Sequence, residues 1–179
     1  MDLKNKMTVV GAAVVFAGIL FGLTRQLSVL PGYIEYIDVI VNGKVSLFAA
    51  VTSNTVFVII VFLLGYFSFG FTLIYPVLFF KAFTAGMCAR LCIDVYGAWN
   101  GASYILAYIM PVSAITLLLM TLLSSSAFVF SFQSLFGGEK RQVLDRLKHQ
   151  TILGLVFVLM SVFSVVWSAF LNPVVARII

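Results

Sequence analysis

Lys81 is the residue of this chain with the most scope to do something other than pack. It is the only charged side chain between Lys44 and Arg90, in a run that is otherwise apolar. A lysine well inside such a run costs at least a few kcal/mol unless it pairs, snorkels to an interface or lines a wet cavity. It therefore marks either a polar site or partner contact, or a side chain that snorkels. The remaining reactive residues offer less. Cys88 and Cys92 stand four apart, the spacing of one helix face, not the two-residue gap of a redox pair or zinc knuckle. Two packing thiols are expected. His149 is the only histidine, so no His-based metal site can be assembled. Arg90 and Asp94 suit a modest local ion pair at a helix end. No nucleophile elbow, phosphate loop or zincin motif occurs, and no two carboxylates share an apolar segment. Neither catalysis, nor a metal, nor a cofactor is expected.

Stepping outward from these residues, the 179-residue chain is 63% hydrophobic and 9% charged, against about a quarter charged in soluble domains. So much apolar surface cannot hide inside one small globule, which makes the lipid bilayer the expected solvent. A membrane span must satisfy its own backbone hydrogen bonds, as a helix or a closed barrel does. Barrel strands alternate polar and apolar residues, whereas TVFVIIVFLLGYF and ILAYIMPVSAITLLLMTLL are continuous. The expected fold is therefore all-α, a polytopic transmembrane helix bundle forming a single integral membrane domain. The formal net charge of +5 does not point to nucleic acid. Apart from Lys140, Arg141, Arg146 and Lys148 the basic residues are scattered, and no basic-aromatic groove module is visible.

About five spans are expected, at residues 7–24, 54–69, 71–91, 102–125 and 151–171. In the first, Ala13 and Ala17 are four apart, as are Gly18 and Gly22, a spacing that lets another helix approach closely in lipid. Pro31 opens a stretch with Glu35, Asp38 and Asn42 at intervals of three and four, an amphipathic helix expected at the membrane surface. Asn54 is expected to start, and to cap, the second span. The run from Thr55 to Leu91 exceeds the roughly 20 residues of one span, so a hairpin is expected, with a turn near Ser68–Gly70 for which Gly65 and Gly70 are suited. After Asp94, YGAWNG reads as a glycine-rich turn with interfacial aromatics. The run 102–136 holds Pro111 and the triplet Ser124–Ser126, and reads either as one long kinked helix or as a span plus a partial helix. GGEKRQVLDRLKHQ is the only strongly polar stretch and reads as a loop.

Six of the eleven Lys and Arg residues lie in the N-terminal tail and the 140–148 stretch. The cytoplasmic bias of such residues requires an even number of spans between the two. Five spans satisfy this, with the N-terminus cytoplasmic and the C-terminus outside the cell membrane.

The stretch KAFTAGMCARLCIDVYGAWNGASYILAYIMP resembles the stage II sporulation protein M family of endospore-forming bacteria. The resemblance lies in a lysine, Lys81, followed by a small-aromatic-small-small-glycine segment ending at Gly86. It continues in the pair Tyr96 and Gly97 with Gly101 close behind, and in the later Pro111. Upstream, Asn54 and FLLGYFSFGF look like that family's asparagine and glycine-bearing second span. The resemblance implies a five-span, non-enzymatic anchor used in forespore engulfment. It also implies that other membrane proteins are its partners, and with them the sporulation proteins D and P, a peptidoglycan-degrading pair held at the septal membrane. Two other classes remain. Substrate-binding subunits of energy-coupling-factor vitamin transporters have similar length and small-residue motifs, and an intramembrane enzyme is disfavoured by the missing catalytic pairs.

Overall fold

The computed structural model describes residues 3–24, 47–106, 110–136 and 140–175, and every element among them is helical. In chain order these are α1 (Leu3–Thr24), α2 (Leu47–Tyr66), α3 (Gly70–Tyr96), α4 (Ala98–Tyr104), α5 (Met110–Phe136) and α6 (Lys140–Val175). Three described segments are long and apolar enough to cross a membrane: Leu3–Thr24, Gly70–Tyr96 and Ser113–Leu135. Shorter apolar stretches lie at Thr55–Tyr66 and Gln150–Val166. The amphipathic helix expected around Pro31–Asn42 lies outside the described residues.

Several expected boundaries move. Asn54 does not start a helix; α2 begins at Leu47 because LFAAVTS carries no breaker and simply extends the apolar run backwards. The stretch at 140–148 is not a loop. Val143, Leu144 and Leu147 recur at helical spacing among its charges, and α6 runs unbroken from Lys140 to Val175. In the long run after YGAWNG, α4 ends at Tyr104 and α5 is described from Met110 to Phe136, with Pro111 in it; residues 107–109 lie outside the described residues.

The chain reverses between α2 and α3 at Phe67–Phe69, beside the expected Ser68–Gly70. Phe67 N–H donates to Leu64 C=O at 3.2 Å and Gly70 N–H to Phe67 C=O at 2.8 Å. A side chain at residue 70 would run into the Leu64 backbone, so this turn needs glycine there. Ser131 of α5 fastens the turn. Its hydroxyl donates to Phe67 C=O at 2.6 Å and accepts from Phe71 N–H at 3.1 Å, one of the orphan donors at the start of α3. Gly65 plays no part in the turn. It is buried within α2, where an added Cβ would stand 3.0 Å from the Cβ of Ala127 on α5.

Side-chain contacts fix the relative directions of the helices. Gly11, Gly18 and Gly22 of α1 meet Tyr75, Ala82 and Gly86 of α3 in ascending order, so these two run parallel. Phe71 and Tyr75 meet Phe132 and Phe128 in descending order, which makes α5 antiparallel to α3 and parallel to α2. Gly65 meets Gln150 while Phe62 meets Gly154, so α6 opposes α2. α5 is the central helix: 61% of its most apolar window is buried, against 17% for α1. The main core joins Val58 and Val61 of α2, Ile74 and Leu78 of α3, and Met120, Leu123 and Ala127 of α5.

Ser131 yields a direct test. Ser131→Ala removes the hydroxyl with little change of volume but strands the Phe71 N–H and the Phe67 carbonyl, and should lower stability by about 1–3 kcal/mol. Denaturant unfolding of the purified protein in detergent checks this, and an unchanged midpoint would remove Ser131 as the fastening of the turn.

Candidate functional site

Most of the residues singled out by sequence fall into two places along α3, whereas Asn54 lies in α2 and Pro111 in α5. The first is the seam between α1 and α3. Gly18 is buried at a spot where a Cβ would lie 2.8 Å from both the Ala82 Cβ and the Phe79 carbonyl oxygen. At Gly22 it would lie 2.8 Å from Met87 N, and at Gly86 it would collide with the Ile19 backbone. Glycines on both helices thus bring the two backbones together, and Phe21 closes the edge by stacking near Phe79 and Phe83. Ala13 and Ala17 do not join this seam. They lie on the exposed face of α1, beside exposed Phe16 and Leu20. The small residues of α1 therefore divide into two faces: glycines inward, alanines outward.

Lys81 sits one residue before Ala82, turned from that seam towards α2. Its ammonium lies 4.9 Å from the centroid of the Phe57 ring, a cation–π distance. The side chain is half-buried, so its stem packs between helices while its charge rests on an aromatic face.

The second place is the far end of α3. Gly97 adopts φ +80°, a left-handed conformation that favours glycine, and breaks the helix after Tyr96. The chain then folds α4 back so that Gly101 is buried against α3, where a Cβ would stand 2.6 Å from the Cys92 carbonyl oxygen. Gly101 N–H donates to Gly97 C=O at 2.9 Å. Tyr96 and Tyr104 flank the bend with ring centroids 5.8 Å apart, and Trp99 is 87% exposed beyond it. Arg90 and Asp94 form the expected ion pair through two contacts, Nη2–Oδ1 at 2.9 Å and Nε–Oδ2 at 3.1 Å. Cys88 and Cys92 are free thiols, half-buried and buried. Among the described residues no cluster of three or more potential metal ligands occurs.

A third place was not singled out by sequence. Gln150 of α6 is buried, and its Oε1 accepts from the Ser126 hydroxyl at 2.6 Å. Its Nε2 has no hydrogen-bond partner among the described residues, although an added Cβ at Gly65 would stand 3.2 Å from it. One residue along each helix, the hydroxyls of Tyr66 and Thr151 meet at 2.7 Å. The Ser124–Ser126 triplet was the available signal, and its partner was hidden because Gln150 reads as the last residue of a polar loop. Here α2, α5 and α6 meet through uncharged polar groups able to bind or orient, with no nucleophile–base pair among them.

Comparison with protein-family models, curated proteins and solved structures finds none that matches this chain.

The split of small residues on α1 predicts two separable phenotypes. Gly18→Leu and Gly22→Leu should force α1 from α3 and cost at least about 1–3 kcal/mol, as overpacking does. Ala13→Leu should leave the melting temperature within a degree or two, because it meets no other part of the chain. Thermal melts of the three variants at equal membrane abundance decide it, and equal loss in all three would refute the assignment of faces.

Proposed function

We propose that the protein is a non-enzymatic membrane anchor whose task is to gather other membrane proteins. In an endospore-forming cell it would hold a peptidoglycan-degrading complex, the sporulation proteins D and P, at the septal membrane during engulfment. The observation that carries this reading is the outer face of α1. Ala13 and Ala17 stand on it at helical spacing, uncovered by any described part of the chain, while the glycines behind them hold α1 rigidly on α3. Small residues on a lipid-facing helix let a partner helix approach closely. The resemblance of residues 81–111 to the stage II sporulation protein M family supplies the identity of the partners. The residues of that resemblance, Lys81, Gly86, Tyr96, Gly97 and Gly101, set how α3 meets its neighbours.

Five spans are part of this proposal. The supporting observation is the alternation of direction along α1, α2, α3, α5 and α6, which puts the start of α1 and the start of α6 at the same end of the bundle. Both basic clusters then lie on one side, the cytoplasmic one by the usual bias. The N-terminus would be cytoplasmic and the C-terminus outside the cell membrane. A second reading, a membrane subunit of a transporter such as a vitamin-binding component, is favoured by one feature, the part-buried Ser126–Gln150 pair. A crosslinking pull-down from sporulating cells separates the two: cell-wall hydrolases support the anchor, an ATPase pair the transporter.

Two further outcomes are expected. A cysteine placed at Gln142 should resist an impermeant thiol reagent in intact cells, while one at Asn42 should react; labelling at 142 would sink the five-span topology. Lys81→Met should insert normally but recover fewer partners, because the cation over Phe57 is lost, whereas Lys81→Arg keeps a cation and should retain most recovery. Full recovery with methionine at equal abundance would strike Lys81 from the site.

A further inference from the structure

Three hydroxyls are buried in the bundle without hydrogen-bonding to anything described. Thr55 of α2, Thr116 of α5 and Ser161 of α6 are each at least nine-tenths buried, and the hydroxyl oxygen of each has no partner among the described residues.

Their convergence follows from helical register. At one level of the bundle, Tyr66 meets Thr151, Ala127 lies under Gly65, and Gln150 binds Ser126. Thr55 precedes Tyr66 by eleven residues, Thr116 precedes Ala127 by eleven, and Ser161 follows Gln150 by eleven. Eleven residues are about three turns, which returns each side chain to the same face of its helix about 16 Å along the axis. α6 runs opposite to α2 and α5, so the three displacements point the same way. Thr55 therefore faces α6 as Tyr66 does, Thr116 faces α2 as Ala127 does, and Ser161 faces the groove between them as Gln150 does. Between the two levels lies an apolar layer that includes Val58, Val61, Met120 and Leu123.

Three buried hydroxyls from three helices at one level make a site with donors and acceptors and no charge. Among the described residues Lys81 is the nearest cation by register; it lies over Phe57, and Phe57 is two residues from Thr55 and so on the opposite side of α2. An ion entering the node would find no counter-charge among the described residues, whereas a water needs just two to four polar partners. We propose that Thr55, Thr116 and Ser161 together bind one ordered water, which joins α2, α5 and α6 at a level where the described residues share no direct hydrogen bond. The water supplies the interhelical link that Ser126 and Gln150 make directly at the other level.

The sign of a stability change tests this. Thr55→Val and Thr116→Val keep side-chain shape and remove one hydroxyl each. In the full chain in lipid nanodiscs, each should lower the melting temperature by about 2–4 °C. The double variant should lose less than the sum, because the second substitution removes a partner from a water already displaced. Water-to-amide NMR cross-peaks near residues 55, 116 and 161 should be present in the wild type and absent from the double variant. If the node is dry, both substitutions remove an unsatisfied buried group and raise or preserve the melting temperature, with no cross-peaks; that result overturns the proposal. Repeating the wild-type melt in sodium, potassium and choline chloride identifies any ion. A melting temperature that depends on the cation would overturn a water occupant, and one that does not supports it.

Discussion

Where a helix is surrounded by solvent as apolar as its neighbours, burying hydrocarbon gives it little reason to choose one partner over another. What remains is how closely two backbones can approach and which polar groups can meet. Close approach at glycine is the constraint on which the rest of this structure depends. Gly18 and Gly22 of α1 and Gly86 of α3 bring one pair of helices into backbone contact. Gly65 lets α2 touch Ala127 of α5, and Gly154 leaves room for the Phe62 ring against α6. Remove the close approach and the aromatic contacts that ride on it, such as Phe21 on Phe83, lose their geometry.

Polar groups then choose register within the arrangement that the glycines permit. The Ser126–Gln150 hydrogen bond, the Tyr66–Thr151 contact and the clamp of Ser131 on the α2–α3 turn each tie residues at least 24 positions apart. All three involve uncharged groups, and two of them use α5, the most enclosed of the candidate spans. A hydroxyl that meets a partner in such surroundings resists sliding, since any shift leaves both groups unpaired. Lys81 is different in kind. Its charge is accommodated by an aromatic face on α2, which fixes one side of α3 while the glycines fix the other.

An anchor benefits from this division of labour. The inner contacts tie the helices together, and the outer face of α1 is left uncovered by the described residues, with small residues at the spacing that suits another helix. The bend at Gly97 projects Trp99 outward at the end of α3, a residue type that settles at the boundary between lipid and water. Neither feature needs catalytic chemistry, and the proposed anchor would require none.

Composition and the length of its apolar runs decided the helical class and the expectation of lipid, because both follow from solvation summed over many residues. Local breakers were equally legible: the reversal near Phe67–Phe69 and the break at Gly97 announce themselves through glycine. The Arg90–Asp94 pair was legible because both partners lie on one helix. Spacing alone also flagged two small-residue pairs on α1. It could not say that Gly18 and Gly22 turn inward while Ala13 and Ala17 turn outward, because that depends on where α3 stands. Nor could it find Gln150, whose polar neighbours suggested a loop, or see that Thr55, Thr116 and Ser161 share a level. Those residues are far apart along the chain and unremarkable alone; only the packing of three helices aligns them by register and buries their hydroxyls.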